Sequence, residues 1–308
     1  MEVVNDMAVN VAIGVQDFST LIENNYFYVD KTLFLKEWWD SGDSVTLITR
    51  PRRFGKTLTM SMTEQFFSLE YAGRSDLFEN LKIWQDEKYR NLQGTYPFIS
   101  LSFANIKEPT YELTQKKICD LIAQLYFKYD FITECNALIR EEVNLYKKIM
   151  NNMDYVDATL SLNYLSGFLY KYYGKKVIIL LDEYDTPMQE AFVDGYWDEL
   201  VTFTRSLFNS TFKTNPALER GIMTGITCVS KESIFSDLNN LKVVTTTSNE
   251  YATTFGFTES EVFAALEKCG LDSQKNEVKR WYDGFIFGEC KDIYNPWSIL
   301  NYLDEQQY

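Results

Sequence analysis

The chain has 308 residues, 45 % of them apolar, which is enough for one large α/β domain plus a small appended unit and too apolar for a fibrous or disordered chain. Acidic residues outnumber basic ones by 44 to 30, a formal net charge of −14, so a broad basic face for nucleic acid is not expected. Histidine is absent, which removes Ser-His-Asp and Cys-His nucleophiles and His-ligated zinc; chemistry must rest on carboxylates, Lys, Arg, hydroxyls and a bound metal.

The five cysteines are odd in number and form no CxxC pair, as expected of free thiols in a reducing, cytoplasmic setting. The N-terminus lacks a basic region followed by an apolar stretch, and no apolar run approaches the roughly 18 residues of a membrane span. No membrane partner is expected. The aromatic residues are spread along the chain and read as core and interface material.

In chain order, a polar lead precedes a helix that Asp30 or Thr32 could cap, running through Trp39 and closing near Gly42. VTLIT (45–49) is a short β-rich run suited to a buried parallel strand. RPRRFGKT follows, then a helical pattern. PFISLSF (97–103) reads as a second strand, and a long amphipathic helix begins near Pro109. Further helices fill 131–175, the last ending at Gly174. KKVIILLDEYD (175–185) is the clearest strand, DELVTFTRSLFNSTFK another helix, GIMTGITCV (221–229) another strand and KVVTTTS (242–248) the last core strand. This alternation predicts a mostly parallel sheet covered on both faces. From about residue 255 the composition turns to Gly and aromatics after a capping signature, Thr258 with Glu261. The expected division is 1–254 for the main domain and 255–308 for a small helical, lid-like unit.

RPRRFGKT (50–57) carries the second half of a Walker A loop, GxxxxGK[ST]. Pro51, Arg52, Arg53, Phe54, Gly55, Lys56, Thr57 and Leu58 are the expected nucleotide-binding residues. Gly55 lets backbone N–H groups approach phosphate oxygens, Lys56 reaches the β- and γ-phosphates, and the Thr57 hydroxyl coordinates Mg²⁺. The following helix adds the positive end of its dipole. Arg50 occupies the position of the first Walker glycine.

VIILLDEYD (177–185) describes a Walker B strand: Asp182 at its carboxyl edge as the Mg²⁺ residue and Glu183 as general base for the attacking water. The Asp-Glu pair marks the branch with an additional strand between the Walker A and Walker B strands, and 97–103 is the candidate for that insertion. Thr224 or Thr227 in MTGIT is placed to sense a γ-phosphate, while Arg205 and Arg220 are either arginine fingers or structural ion-pair residues.

Taken together, IGVQDFSTLIENNYFYVDKT, RPRRFGKT, LLDEYD, TGITCVSKESIFSDLNNL, WYDGFIFGE and YNPWSIL resemble the bacterial AAA-ATPase-like family, in that family's order and from about residue 12 onward. The resemblance implies a P-loop NTPase of the additional-strand, catalytic-Glu division with a nucleotide-switch role, in which Lys56 and Thr57 match Walker A, Asp182 and Glu183 match Walker B, and 224–227 the sensor strand. It also accounts for Arg50, because the family lacks the first glycine. Longer members carry a restriction-endonuclease-like domain after the YNPWSIL block; Tyr308 follows that block closely, so no nuclease activity is expected of these residues.

The expected function is therefore a slow Mg-dependent ATPase acting as a switch or motor for an attached or partner effector, with a homo-oligomer or an effector domain as the expected partner. The alternative is a non-catalytic, nucleotide-dependent scaffold. Base identity stays open, although the guanine-reading NKxD motif is absent.

Overall fold

A computed structural model of the chain describes residues 10–227, 234–235 and 237–305. Five parallel strands form the central sheet: β1 (Val45–Thr49), β2 (Phe98–Ser102), β3 (Val177–Asp182), β4 (Leu218–Gly225) and β5 (Leu241–Val244), in the order β2-β3-β4-β1-β5. β1 and β3 are buried along their whole length, as continuous apolar runs in a doubly covered sheet should be. Cys228 and Val229, placed by the sequence at the end of the fourth strand, lie outside the described residues, as does most of the SKESIFS block.

The strand that separates the Walker A strand from the Walker B strand is β4, hydrogen-bonded to both. The assignment of 97–103 to that place is thereby corrected: β2 pairs with β3 alone and forms the sheet edge. Chain order misleads here because the connection from β1 to β2 skips two places in the sheet, which β3 and then β4 fill, so β4, fourth in the chain, inserts between the first and third.

Among the helices, α1 (Phe18–Glu23) is capped by Asp17 and α2 (Leu33–Ser41) ends at Gly42 with φ 75°. Asp30 does not cap α2 directly; its carboxylate accepts from the Thr32 N–H and hydroxyl and from the Lys82 N–H, fixing the turn before the helix. α3 (Lys56–Phe67) follows the loop and α4 (Glu87–Arg90) is a single turn. α5 (Tyr111–Lys128), capped by Thr110, α6 (Arg140–Asn152) and α7 (Tyr155–Tyr173) precede β3, and Gly174 at φ 68° ends α7. α8 (Thr186–Asp194) and α9 (Trp197–Phe208) precede β4, the latter running on into a π-turn over Asn209–Lys213.

Side chains alternate across the sheet. Leu47, Ile99, Ile179 and Leu181 face α5, α7 and α9, whereas Ile48, Phe98, Ile178, Leu180 and Ile222 face α2 and α3. The core is thus two apolar layers on one sheet.

The chain beyond 255 forms α10 (Glu259–Lys268), with the expected Thr258–Glu261 capping box, α11 (Lys275–Tyr282) and α12 (Pro296–Glu305). Besides these helices it folds a three-stranded antiparallel sheet of β6 (Phe257–Thr258), β7 (Phe285–Phe287) and β8 (Cys290–Tyr294), which the sequence did not show. A separate apolar cluster holds this unit, and half-buried Val11, Phe27 and Val29 of the N-terminal lead pack on it. Phe255, Phe287 and Ile293 belong instead to the cluster containing Phe54 and Phe66, so the unit is fastened to the main domain through shared core. Among the described residues no helix is long and apolar enough to cross a membrane.

Candidate functional site

The segment 50–55 leaves the carboxyl end of β1 as a tight loop and enters α3 at Lys56. Two of its residues take left-handed backbone, Arg53 at φ 69° and Gly55 at φ 81°. Glycine adopts that conformation freely, while at Arg53 it costs about 1 kcal/mol or more. Running straight into α3, the loop meets N-terminal amides of the helix that have no intrahelical partner, a feature suited to an anion.

Lys56 is buried, and its Nζ donates to the carbonyls of Arg50 at 2.8 Å and Pro51 at 2.9 Å, closing the loop on itself. Burial lowers its pKa; the charges of Asp182, Glu183 and Asp185 oppose that shift. Thr57 Oγ1 donates to Asp182 Oδ2 at 2.8 Å, and the other Asp182 oxygen accepts from Thr224 Oγ1. The loop, the β3 terminus and the β4 terminus therefore meet at one carboxylate, at the carboxyl edge of the sheet where open α/β folds bind ligands.

Glu183, next along, has φ 51°. Its N–H donates to Thr224 Oγ1 at 3.2 Å and its Oε2 accepts from Thr186 Oγ1 at 3.1 Å. Asp185, which the sequence reading passed over, is fully buried; its Oδ2 accepts from the N–H groups of Ile226 (3.0 Å) and Thr227 (2.9 Å) and from Thr227 Oγ1 (2.9 Å). The third acid of LLDEYD thus pins the backbone just past β4. Its only legible signal was a further acid beyond the metal and base positions. Thr227 is engaged there, and Thr224 alone of the two threonines touches Asp182.

The arginines of the loop and of β4 take different places. Arg50 is fully buried, its pKa pushed down to about 10 by that burial. Arg52 is exposed beside the cavity, and the Arg53 guanidinium lies 3.9 Å from the centre of the Trp297 ring. Arg220 sits near the opposite end of β4, donating to the Trp38 and Asp43 carbonyls and lying 4.7 Å from the Trp39 ring centre; it serves the structure there and is not turned to the loop.

A cavity of about 380 Å³ opens beside the loop, within the roughly 300–1,000 Å³ of small-molecule sites. One half is polar, with Arg52, Arg53, Gly55, Lys56, Thr57 and Glu183; the other is apolar, with Phe27 and Val29 of the lead, Leu58 of α3, and Phe257, Trp297 and Leu300 of the C-terminal unit. Phe54 and Leu58 both line it, while Pro51 contributes only its carbonyl to Lys56. Lys31 closes the inner rim, its ammonium 2.6 Å from a Glu261 carboxylate oxygen of α10. These walls come from segments more than 200 residues apart, and no local pattern announces them.

Among the described residues no cluster of three or more acidic, Cys or His side chains could hold a metal alone. One hydroxyl and one carboxylate is a donor set suited to Mg²⁺, which keeps waters and takes phosphate oxygens as its remaining ligands.

A parallel sheet in 2-3-4-1-5 order, with a GKT loop on the first strand and an acidic pair ending the third, defines a P-loop NTP-binding domain of the additional-strand division. Residues 12–235 match the family described as predicted AAA-ATPase, and the chain belongs to that family. It is 26 % identical over 301 residues to an uncharacterised protein encoded in the vnfD 5′ region of Azotobacter chroococcum mcd 1, covering 96 % of this chain and 52 % of that protein. The chain therefore spans about half the length of the curated relative it matches. Among solved structures it is similar to the Walker-type ATPase PABY2304 of Pyrococcus abyssi, with a TM-score of 0.46 and 14 % identity over 92 % of this chain and 69 % of that one.

Proposed function

We propose that the chain binds Mg-ATP in the 380 Å³ cavity and hydrolyses it slowly, as a switch for an attached or partner effector. The observation that carries this reading is the meeting of Thr57 and Asp182 across 2.8 Å beside Lys56, at the polar end of a cavity whose other end is apolar. The amides of 53–57 and Lys56 take the phosphates, and the apolar half between the lead and α12 takes the base. Mg²⁺ is held by Thr57 and Asp182 and neutralises phosphate charge. Glu183 orients and deprotonates the attacking water.

With Arg220 at the far end of the sheet, no arginine finger from β4 completes the site in cis. Fast turnover then needs a homo-oligomer or an effector, and a dilute monomer hydrolyses slowly. The four described cysteines are free thiols, in keeping with a reducing cytoplasm. Residues 255–308 act as the movable wall of the cleft, and the acidic chain by itself recruits no nucleic acid.

Calorimetric titration with Mg-ATP, followed by phosphate release at rising protein concentration, tests this reading. Binding with turnover per chain that climbs with concentration supports the switch. Binding with no turnover at any concentration would leave the nucleotide-dependent scaffold in its place, and no binding removes both.

A further inference from the structure

Arg50 stands where a Walker loop begins with glycine, and its guanidinium is completely buried. Among the described residues no carboxylate forms an ion pair with it. Nη1 donates to the Thr49 carbonyl at 3.1 Å and Nη2 to the Glu250 carbonyl at 3.3 Å, while Nε has no partner. The Phe287 and Phe255 ring centres lie 4.7 and 5.7 Å from it. A cation held by carbonyls and ring faces alone is expensive to bury, and an apolar side chain of the same volume would usually serve stability as well or better. Something other than stability accounts for an arginine here.

The main chain of the same residue is equally engaged. Its N–H donates to the Gly225 carbonyl at 3.2 Å, and its carbonyl receives Lys56 Nζ at 2.8 Å. One residue thus touches the end of β4, the loop lysine, the 250–255 connection and β7. Phe54 makes a parallel link from the far side of the loop, its ring 4.8 Å from that of Phe285 and 5.3 Å from that of Phe287. Between them Gly256 has no room for a Cβ, which would lie 3.1 Å from Phe54 and 2.6 Å from Ile293. A shift of the loop is transmitted to β7 because close-packed groups cannot yield independently.

We propose that Arg50 is a positioning residue that couples the phosphate loop to the C-terminal unit, so that a nucleoside triphosphate on the loop sets the order of β7 and β8 through its guanidinium. This rests on the reading that the loop binds Mg-ATP. Residues 285–287 and 290–294 do not line the cavity, so a response there reports transmission and not direct contact with the ligand.

The test is amide hydrogen exchange of 285–294 with and without saturating Mg-ATP, beside calorimetry, in wild type, Arg50→Met and Arg50→Lys. Methionine fills the volume without the charge. The expected result is a wild-type thermal midpoint or higher for R50M, Mg-ATP binding at least ~10-fold weaker, and no slowing of exchange at 285–294 once saturated; lysine recovers part of both losses by donating to the same carbonyls. A merely structural role would raise exchange equally with and without nucleotide and keep the difference between them. Should R50M fail to fold, Phe287→Leu removes the ring beneath the guanidinium while keeping Arg50, and loss of the nucleotide-dependent slowing supports the coupling. R50M or F287L with wild-type affinity and undiminished slowing overturns it. Failure of the wild type to bind Mg-ATP overturns the nucleotide reading instead, whatever the variants do.

Discussion

Thr57 Oγ1 donates to Asp182 Oδ2 across 2.8 Å, joining residues 125 positions apart in the chain and two strands apart in the sheet. The strand between them supplies Thr224, whose hydroxyl takes the other carboxylate oxygen. Asp182 is thereby held in one orientation from both sides, with one donor in the first turn of α3 and one on β4. An ion bound there would meet a preset carboxylate and pay little to order it.

Thr57→Ala should therefore separate metal dependence from nucleotide affinity. Binding of ATP without Mg²⁺ is expected to stay within about threefold of wild type, while the gain on adding Mg²⁺, a Lewis acid holding phosphate oxygens, disappears. Calorimetry with and without chelator measures both. Thr224→Val removes the opposite brace and should weaken the Mg²⁺ gain less, because Asp182 keeps its bond to Thr57. An unchanged Mg²⁺ gain in T57A would remove Thr57 from the metal site.

Lys56→Ala is expected to abolish measurable Mg-ATP binding, a loss of ~100-fold or more, since a buried ammonium near phosphate acts in low dielectric. The same substitution removes the tie between the carbonyls of Arg50 and Pro51. Hydrogen bonds from a charged donor contribute roughly 1.5–3 kcal/mol each, so some drop in thermal midpoint accompanies it, and circular dichroism should still show a folded chain. Wild-type affinity in the variant would leave the loop without a phosphate role.

For Glu183→Gln the expectation is the reverse split. The amide keeps the size of the side chain, so Mg-ATP affinity should change by less than about threefold, whereas single-turnover phosphate release should fall by roughly 10²- to 10⁴-fold, the usual worth of a general base. The left-handed backbone at φ 51° is unaffected by the exchange, which keeps the comparison clean. Equal turnover in E183Q would assign the base elsewhere.

How much of this was legible follows from where each constraint is written. β1, the loop and α3 are contiguous, so an apolar run, a GKT and a helical pattern sufficed to place Gly55, Lys56 and Thr57. The acids after VIILL carried their own position for the same reason. The identity of the strand beside β1 could not be read that way, because pairing depends on crossovers and not on chain order, and 218–225 looks locally like any buried strand. Arg50 was legible only as the residue at the first Walker glycine position; that it is fully buried against Phe255 and Phe287 was not, because those residues lie more than 200 positions away. Trp297 and Phe257 had no local signature as cavity walls, since their position depends on how 255–305 folds back on the lead.

Asp185 offers the sharpest separation of support from chemistry. It hydrogen-bonds to neither Thr57 nor Asp182, but its Oδ2 takes three donors from Ile226 and Thr227 and a fourth from the Gln189 amide at 3.1 Å, and its Oδ1 is buried without a partner. Room beside it is tight: a Cβ on Gly225 would lie 2.8 Å from Asp185 Oδ1 and 2.6 Å from Tyr184 Cε1. Asp185→Ala leaves two backbone N–H groups, a hydroxyl and the Gln189 amide to find new partners, at about 1–3 kcal/mol for each that stays buried and unpaired. Urea unfolding should then show a loss of roughly 2–4 kcal/mol, moderated where water reaches the exposed Thr227. Gly225→Ala should cost a comparable 1–3 kcal/mol by overpacking, with no donor removed. Both changes act on the end of β4, and they share Asp185 as a neighbour, so their effects should not add. A double variant less stable than wild type by the full sum would mean that Asp185 and Gly225 are independent, and that the β4 terminus is fixed by something other than this carboxylate.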